Sequence, residues 1–367
     1  TVLKVLDDVL FIMDEEDPKE LELLLYTPSS ALGSCRYKLA DPDVDDTDYK
    51  RILEIFKKYD VRYFFYNGGN DSMDTCNKIS KFMEKSGWEC RVMGIPKTID
   101  NDLFGTNHCP GFPSAAKYVA TTCMELYLDA RVYDTDMVTI IEVMGRNAGW
   151  LTASASLATD MGCGPDLIYL PEVAFDMDKF IADVKKVHAK DGKCIAVVSE
   201  GIKDAKGVLI AEVAAENKPV DSFGHKQLGG LAPYLAEVVQ GKLGIKKVRG
   251  IELSLLQRCA SHVASKTDID LSFASGKSAV ENAVGGMTDY MAGFECTASG
   301  EYKIKLLPLN EVANTEKTVP LDWINKDGNG ITKDFIDYAL PLIQGETELP
   351  KENGLPRFAK LKKVVAK

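Results

Sequence analysis

The chain has 367 residues, a formal net charge of −11 and the hydrophobic and charged fractions of an ordinary globular protein. This charge argues against a general binder of nucleic acid or of anionic membranes, because those partners reward a basic surface. The nine cysteines are scattered without a Cys-x-x-Cys pair and there are only four histidines, which argues against a disulfide framework and a zinc site. No apolar run approaches the ~20 residues that a membrane span requires. These features predict a cytoplasmic protein.

Apolar runs and amphipathic stretches alternate along the chain. A buried strand is predicted over 61–66 (VRYFFY), followed by a helix over 72–85 with apolar side chains at helical spacing. Further strands are predicted over 90–95, 138–143, 167–170 and 194–198, and further helices over 115–129 and 180–189. This alternation predicts parallel sheets with crossover helices, in two α/β units given the length. The last residues, 360–367, are predicted to be a solvated end.

Polar clusters follow four of the predicted strands directly, at 68–72, 96–102, 144–146 and 199–201. In open parallel sheets, ligands bind where the carboxyl ends of strands meet loops and helix N-termini. In the first cluster, Gly68 and Gly69 let the backbone approach a ligand, and Ser72 is predicted to cap the next helix. The free N–H groups of such a helix would receive a phosphate. Taken alone, this cluster is more simply interpreted as a tight strand-to-helix turn.

The segment 97–102 (KTIDND) carries one cation, one hydroxyl and two carboxylates directly after a strand. Phosphoryl transfer requires a base for the acceptor hydroxyl, carboxylates that hold Mg²⁺ and cations that offset the charge of the moving group. Asp100 is therefore predicted to be the base, Asp102 a metal or water ligand and Lys97 the charge clamp. The alternative for this segment alone is a turn rich in Asp and Asn with a solvated lysine.

Charged side chains also follow the later strands. The cluster 144–146 (MGR) offers backbone N–H groups and a guanidinium to a phosphate or sugar, and Glu200 offers a carboxylate to sugar hydroxyls. Arg249 and Arg258 lie on either side of the mostly apolar run 251–256. For each arginine taken alone, a surface ion pair is the favoured interpretation.

Several motifs occur in the order and at about the spacing of one enzyme family. They are GGNDS (68–72), GIPKTIDND (94–102), EVMGRNAGW (142–150), PEV (171–173), SEG (199–201) and LQR (256–258), with LGSCRYKL (32–39) before them. On these residues the chain resembles the phosphofructokinase family over nearly its whole length. The resemblance implies two Rossmann-like three-layer α/β domains with mainly parallel sheets and an active site in the cleft between them. It implies a phosphoryl-donor domain of residues 1–111 with 257–318, and a sugar-phosphate domain of residues 112–256 with 319–367.

The resemblance also implies roles for single residues. Asp100 would deprotonate the 1-hydroxyl of fructose 6-phosphate, with Arg146 as a catalytic cation. The residues implied to hold the sugar phosphate are Thr98, Ile99, Asp102, Met144, Gly145, Glu200, Leu255 and Arg258, with Arg249 contributed to a neighbouring subunit of a homo-oligomer. The residues implied to bind the donor are Gly68, Gly69, Asn70, Ser72 and Arg36, and those implied to bind Mg²⁺ are Asn70, Asp71 and Asp102.

Asp71 and Lys97 predict which donor is used. Family members that use ATP usually read GGDGS, with glycine at the position of Asp71. The Asp71 carboxylate would occupy the space of an ATP α-phosphate and repel it, whereas pyrophosphate has no third phosphate. Lys97 replaces the glycine of many ATP-dependent members and would neutralise the leaving phosphate. We therefore expect pyrophosphate as donor, and a reversible reaction in glycolysis or gluconeogenesis.

Four departures from the family pattern leave alternatives open. No glycine-rich loop GGD-x-PG-x-N comes before Leu23, so we expect the numbering to describe an incomplete chain. Asn70 stands where the family usually has a metal-coordinating Asp, Leu255 where it has His or Tyr, and Met137 where many members have an arginine that reaches the neighbour's sugar site. The alternatives are an ATP-dependent phosphofructokinase, a kinase of a related sugar phosphate such as sedoheptulose 7-phosphate, and a non-catalytic subunit of a hetero-oligomer.

Overall fold

Parallel sheets organise the protein, whose computed structural model describes residues 1–214 and 230–366. The strands of this part are β1 (Tyr63–Gly68), β2 (Arg91–Pro96), β3 (Met137–Val143), β4 (Leu167–Tyr169), β5 (Lys193–Ser199), β6 (Val248–Glu252), β7 (Tyr290–Cys296), β8 (Tyr302–Pro308), β9 (Lys351–Glu352) and β10 (Leu355–Pro356). One sheet has the order β1-β2-β7-β8 and the other β4-β5-β3-β6. Within both sheets, only the β7–β8 pair is antiparallel. β9 and β10 form a short antiparallel pair.

Helices connect these strands. They are α1 (Val2–Leu6), α2 (Pro18–Glu22), α3 (Thr47–Lys58), α4 (Asn70–Lys85), α5 (Phe112–Arg131), α6 (Trp150–Ala153), α7 (Ser156–Asp160), α8 (Met177–Asp191), α9 (Ile210–Ala214), α10 (Leu231–Leu243), α11 (Lys266–Val284), α12 (Leu309–Val312) and α13 (Lys333–Ala339). Short 3₁₀ helices span Met13–Glu15, Leu23–Leu25, Ser254–Arg258, Ser261–Val263, Leu321–Trp323 and Leu340–Ile343. The ends of α8 follow from local chemistry: Asp176 accepts a hydrogen bond from Lys179 N at 2.8 Å, and Gly192 ends the helix with φ +75°.

Both faces of each sheet are covered by helices. Every residue of β3 is buried, and successive side chains of a strand point to opposite faces. Val138 and Ile140 therefore pack towards α8 and α10, while Ile141 and Val143 pack towards α5. The other sheet lies between α3 and α4 on one face and α11 on the other. The predicted fold class, two three-layer α/β units, is confirmed.

The predicted elements are present, with their ends shifted by at most three residues. The sequence did not predict β6, β7, β8, α3, α10 or α11. The predicted solvated end at 360–367 is mostly exposed over the described residues 360–366, but its backbone is anchored to an earlier segment. Glu16 Oε2 accepts from Lys362 N at 2.7 Å, and Glu20 Oε2 accepts from Lys360 N at 2.6 Å. These bonds tie the last residues to the beginning of the chain.

The strands divide between the sheets as the predicted domain segments do. β1, β2, β7 and β8 lie within residues 1–111 and 257–318, and the strands of the second sheet lie within residues 112–256. The boundary residues at 111, 256 and 318 stay a prediction.

The described residues, 1–214 and 230–366, contain no membrane-spanning helix and no disulfide. None of their helices is both long and apolar enough to cross a membrane. All nine cysteines are free thiols, five of them buried. The cytoplasmic location stays a prediction.

Candidate active site

The four polar clusters lie at the carboxyl ends of β1, β2, β3 and β5, two from each sheet. Electrostatic effects connect them. Burial raises the pKa of Glu200, and the charge of Asp100 adds to this effect. Burial also raises the pKa of Asp100, and the charge of Arg258 opposes this effect. The loops also meet through residue 317: Lys317 N donates to Asp102 O at 2.8 Å, and Trp150 Nε1 donates to Lys317 O at 2.8 Å. The loops after the strands of both sheets therefore border a common cleft.

The first side of the cleft is the turn from β1 into α4. A Cβ on Gly68 would lie 2.0 Å from Ser72 Oγ, so the close contact requires glycine. The predicted capping role of Ser72 is wrong, because α4 begins at Asn70 and its N-cap is Gly69. No side chain caps this helix end, and Ser72 lies in the first turn. The first N–H groups of an uncapped helix suit an anion.

Asn70 connects this turn to a distant loop. Its Oδ1 accepts a hydrogen bond from Asn314 N at 2.9 Å, and its Nδ2 donates to Thr315 O at 2.9 Å. Asn70 thus has a structural role, and only one lone pair of Oδ1 remains for the predicted metal and donor contacts, which stay predictions. Asp71 is exposed in the same helical turn, where the helix dipole stabilises a negatively charged carboxylate.

Thr98 orients the Asp100 carboxylate in the loop after β2. Its Oγ1 accepts from Asp100 N at 3.1 Å and donates to Asp100 Oδ2 at 3.2 Å. Its backbone N–H donates to Pro110 O at 3.2 Å, which fixes Thr98 to the start of α5. Burial raises the pKa of Asp100. The Thr98 hydrogen bond and the positive charges of Lys97 and Arg258 oppose this effect.

Asp102, on the other side of Asn101, lies near the two carboxylates of Asp100 and Glu316. Burial raises its pKa to about 7, and the negative charges of Asp100 and Glu316 add to the effect. Lys317 provides an opposing positive charge. Asp102 therefore gains a proton near neutral pH, where an ordinary aspartate is ionised.

Asn101 makes the turn between the two carboxylates. Its φ is +56°, a left-handed conformation that asparagine adopts more readily than most residues. The buried side chain accepts from Cys109 N at 2.8 Å and donates to Tyr338 Oη at 2.8 Å. Lys317 Nζ donates to Asn107 O at 2.9 Å nearby. The turn is thus held by side chains from the end of the chain that the sequence did not predict.

Gly145 forms the turn after β3. Its φ is +141°, and a Cβ would lie 2.6 Å from Ala148 O, so a larger residue does not fit. Its N–H donates to Glu200 Oε1 at 3.3 Å, and Ser199 Oγ donates to its carbonyl oxygen at 2.6 Å. The clusters after β3 and β5 therefore form one unit.

Gln257 holds the same turn from another direction. This buried side chain accepts a hydrogen bond from Met144 N at 3.2 Å through Oε1. On the opposite side, a Cβ on Gly201 would lie 2.1 Å from Arg146 O. Both residues belong to motifs quoted above, but neither received a role from the sequence.

Two predicted cations lie near these groups. Arg146 is half-buried and its charge lowers the pKa of Glu200 against the effect of burial. Arg258 is exposed at the end of the 3₁₀ helix Ser254–Arg258. Its positive charge lowers the pKa of Asp100 against the effect of burial. Leu255 in that helix is 54% exposed, and its contact with the sugar phosphate stays a prediction.

The remaining predicted residues lie further from these groups or have other contacts. Arg249 Nη1 lies 3.4 Å from Asp129 Oδ2 in an exposed ion pair, the alternative considered for it. Its contribution to a neighbouring subunit stays a prediction. Met137 is buried at the start of β3. Ile99 packs against the core of the second sheet, and Arg36 is exposed before α3.

The segment 314–319 reaches the cleft without having been predicted. Glu316 Oε1 accepts from Asn147 Nδ2 at 2.7 Å. Lys317 N donates to Asp102 O at 2.8 Å, and Trp150 Nε1 donates to Lys317 O at 2.8 Å. No local pattern signals these contacts, because each partner lies far away in the sequence.

Comparisons with known proteins agree with this architecture. The family model for phosphofructokinase matches residues 8–251. A pyrophosphate–fructose 6-phosphate 1-phosphotransferase of Xanthomonas campestris pv. campestris is 45% identical over 372 residues, covering 99% of this chain and 87% of the relative. One of Halomonas elongata is 43% identical over 367 residues, covering 99% and 86%.

A solved structure gives the same result. The crystal structure of the pyrophosphate-dependent phosphofructokinase from Nitrosospira multiformis matches with a TM-score of 0.89 and 39% identity. The match covers 100% of this chain and 87% of that chain. With the motifs in one cleft and the family model matching more than half of its length, the chain belongs to the phosphofructokinase family.

Proposed function

We propose that the protein transfers a phosphoryl group from pyrophosphate to the 1-hydroxyl of fructose 6-phosphate, giving fructose 1,6-bisphosphate and phosphate. The observation that carries this proposal is the oriented Asp100 carboxylate in a cleft with cations from both sheets. The names of the relatives described above support the two substrates. With pyrophosphate as donor the reaction is close to reversible, so it would serve glycolysis or gluconeogenesis.

Asp100 acts as the general base. The proton of the 1-hydroxyl passes to Asp100 while the hydroxyl oxygen forms a bond to the nearer phosphorus of pyrophosphate. The bridging P–O bond breaks, and its electron pair leaves with the departing phosphate. Thr98 engages Oδ2, which directs Oδ1 to the substrate proton. The raised pKa of Asp100 makes it a stronger base than an ordinary aspartate.

The cations and Glu200 bind the substrates. Lys97 offsets the charge of the leaving phosphate, and Arg146 with Arg258 holds the 6-phosphate by charge-assisted hydrogen bonds. Glu200, whose Oε1 accepts from Gly145 N, has a second oxygen for a sugar hydroxyl. Asp71 in the first turn of α4 repels the α-phosphate of ATP and so favours pyrophosphate.

We propose Mg²⁺ as the cofactor, held chiefly by Asp102. Among residues 1–214 and 230–366, no group of three or more His, Cys, Asp or Glu could hold a metal ion by itself. This fits Mg²⁺, which usually takes one or two protein carboxylates and completes its shell with substrate phosphates and water. Asp71 can supply a second carboxylate, and Asn70 its remaining lone pair. When bound, the ion would offset the charge of the pyrophosphate oxygens.

Donor preference is expected to change when Asp71 is replaced. Asp71→Gly should raise kcat/KM for ATP at least about fivefold, since two unit charges 4 Å apart repel by on the order of 1 kcal/mol even in water. Lys97→Gly should lower turnover with pyrophosphate. Steady-state kinetics with both donors measures these effects, and Asp48→Gly in the first turn of α3 controls for a helix glycine. An unchanged donor ratio in both variants would refute this account of donor choice.

The pH dependence of kcat/KM should reflect the raised pKa of Asp102. Asp102 binds Mg²⁺ only when ionised, and its pKa is about 7. Activity should therefore fall as the pH is lowered through about 7 at limiting Mg²⁺, and this limb should move to lower pH as the Mg²⁺ concentration rises. A limb near about 4, the ordinary aspartate value, that ignores Mg²⁺ would contradict the proposal.

Assay of the purified protein with each donor tests the proposed function. We expect turnover of fructose 6-phosphate with pyrophosphate and little with ATP. Turnover with ATP alone would establish the ATP-dependent alternative, and preference for sedoheptulose 7-phosphate would establish the related sugar kinase. Inactivity with all of these would favour the non-catalytic subunit. The homo-oligomer remains a prediction.

A further inference from the structure

Glu172, in the PEV motif after β4, is a buried carboxylate to which neither the sequence nor the proposed reaction gives a role. Its Oε1 accepts two backbone hydrogen bonds, from Gly149 N at 2.8 Å and from Val319 N at 2.9 Å. Its Oε2 is buried without a partner among the described residues. One side-chain oxygen thus joins two segments that are far apart in the sequence.

The two segments are those that define the cleft. Gly149 ends the turn that begins at Met144, the turn proposed to hold the sugar phosphate. Val319 ends the segment 314–319, which contacts the other loops of the site. Within that segment, Asn314 and Thr315 bond to the side chain of Asn70, and Lys317 N donates to Asp102 O. Glu172 therefore links the sugar-phosphate turn to the segment that touches both the donor and the catalytic loops, beside the bonds from Asn147 to Glu316 and from Trp150 to Lys317. Of these three links, only Glu172 bonds two backbone N–H groups through one side-chain oxygen.

The packing around this carboxylate leaves no room for adjustment. A Cβ on Gly149 would lie 2.7 Å from Glu172 Oε2, 2.9 Å from Pro171 Cδ and 3.0 Å from Leu170 Cβ. The glycine in this position therefore lets the backbone come close enough for its N–H to reach the carboxylate. Burial raises the pKa of Glu172, although the bonds from Gly149 and Val319 oppose that effect. Oε1 can accept both hydrogen bonds whether or not Oε2 carries a proton.

We propose that Glu172 is a positioning residue for the sugar phosphate, which sets the turn from Met144 to Gly149 against the segment 314–319 without touching the reacting atoms. The inference rests on the proposed function for the identity of the ligand. It makes a specific demand on kinetics: loss of Glu172 should weaken sugar-phosphate binding much more than donor binding, because the donor loop is bonded to the segment 314–319 through Asn70 and not through Glu172.

The test compares Glu172→Ala with Glu172→Gln. The alanine variant loses the acceptor, and its KM for fructose 6-phosphate should rise about tenfold or more, since small misplacements of binding groups are costly. Its KM for pyrophosphate should change less than about twofold. The glutamine variant keeps an oxygen for both N–H groups and should recover most of the affinity. Asp183→Ala is the matched control: it removes an acceptor of Tyr169 and Asn329 in the same sheet region and should lower stability without this split in KM.

Hydrogen exchange of the Gly149 and Val319 amides supplies a readout that needs no substrate. Both amides should exchange faster in Glu172→Ala than in the unmodified protein, and not in Asp183→Ala. If Glu172→Ala does not fold, Gly149→Ala presses on the same carboxylate and should show the same KM split. Equal KM changes for both substrates, or unchanged exchange at both amides, would overturn the proposal. If the unmodified protein turns over neither substrate, the proposed function fails and the exchange result alone decides the role of Glu172.

Discussion

Replacement of Asp100 by asparagine is expected to lower kcat by roughly 10²- to 10⁴-fold, the usual contribution of a general base. The amide keeps the size of the side chain and an acceptor for Thr98 Oγ1, which donates at 3.2 Å to Asp100 Oδ2. It cannot take the proton of the 1-hydroxyl. KM for fructose 6-phosphate should therefore change little, because the loss falls on the transition state.

Steady-state kinetics with pyrophosphate and fructose 6-phosphate measures this loss, in the forward and the reverse direction. Both directions should lose the same factor, since the same group accepts and returns the proton. Asp270→Asn is a suitable control, because Asp270 is an exposed aspartate whose partner is Lys266 on the surface. An Asp100→Asn variant with more than about a tenth of the original kcat would remove Asp100 from the role of base.

Asp268→Ala is expected to cause the largest loss of stability among the single substitutions considered. This carboxylate is buried in the first turn of α11 and raised in pKa by its burial. It accepts from Gly111 N at 2.9 Å, from Ser114 N at 3.2 Å and from Ser114 Oγ at 2.5 Å. It thereby fixes the start of α5. Gly111, the N-cap of α5, also forms an isolated β-bridge with Thr98, so Asp268 supports the catalytic loop as well.

The alanine variant leaves these donors buried without an acceptor, at a cost of about 1–3 kcal/mol for each unsatisfied group. We expect the free energy of unfolding to fall by about 3–5 kcal/mol, measured by urea denaturation. Asp270→Ala is the matched control in the same helix. Its exposed ion pair with Lys266 should contribute less than about 1 kcal/mol. Equal losses for Asp268→Ala and Asp270→Ala would show that the buried network does not stabilise the start of α5.

The strands around the site could be predicted because short-range patterns determine them. Runs such as 61–66 and 138–143 are continuous apolar segments, the usual pattern of strands in parallel sheets with helices on both faces. The polar residues immediately after them then had to lie at the carboxyl edge of a sheet. For that reason, Asp100, Glu200 and Arg146 could each be assigned to the carboxyl edge of a sheet before the fold was known. Their placement in one cleft came from the resemblance to the phosphofructokinase family.

Local patterns were less reliable for the start of α4. Serine is a better capping residue than glycine by side-chain chemistry, which favoured Ser72. The backbone instead turns into the helix at Gly69, and the tight contact between Gly68 and Ser72 uses the serine inside the first turn. The structural role of Asn70 could not be predicted for a related reason, since its partners at 314–315 lie more than 240 residues away.

The residues that hold the loops in place were not predictable from spacing at all. Glu172 and Val319 are separated by 147 residues, and Met144 and Gln257 by 113. Lys317 reaches Asn107 across 210 residues. Such contacts depend on how the chain returns between the two sheets, and neither hydrophobic periodicity nor motif spacing encodes that path.

The identity of the products tests the central claim most directly. Purified protein with pyrophosphate, fructose 6-phosphate and Mg²⁺ should be followed by ³¹P nuclear magnetic resonance. We predict a new phosphate ester at C1 of the sugar and free phosphate in equal amounts, and regeneration of pyrophosphate when fructose 1,6-bisphosphate and excess phosphate are supplied. Release of phosphate without a new ester, or an ester formed from ATP and not from pyrophosphate, would contradict the account.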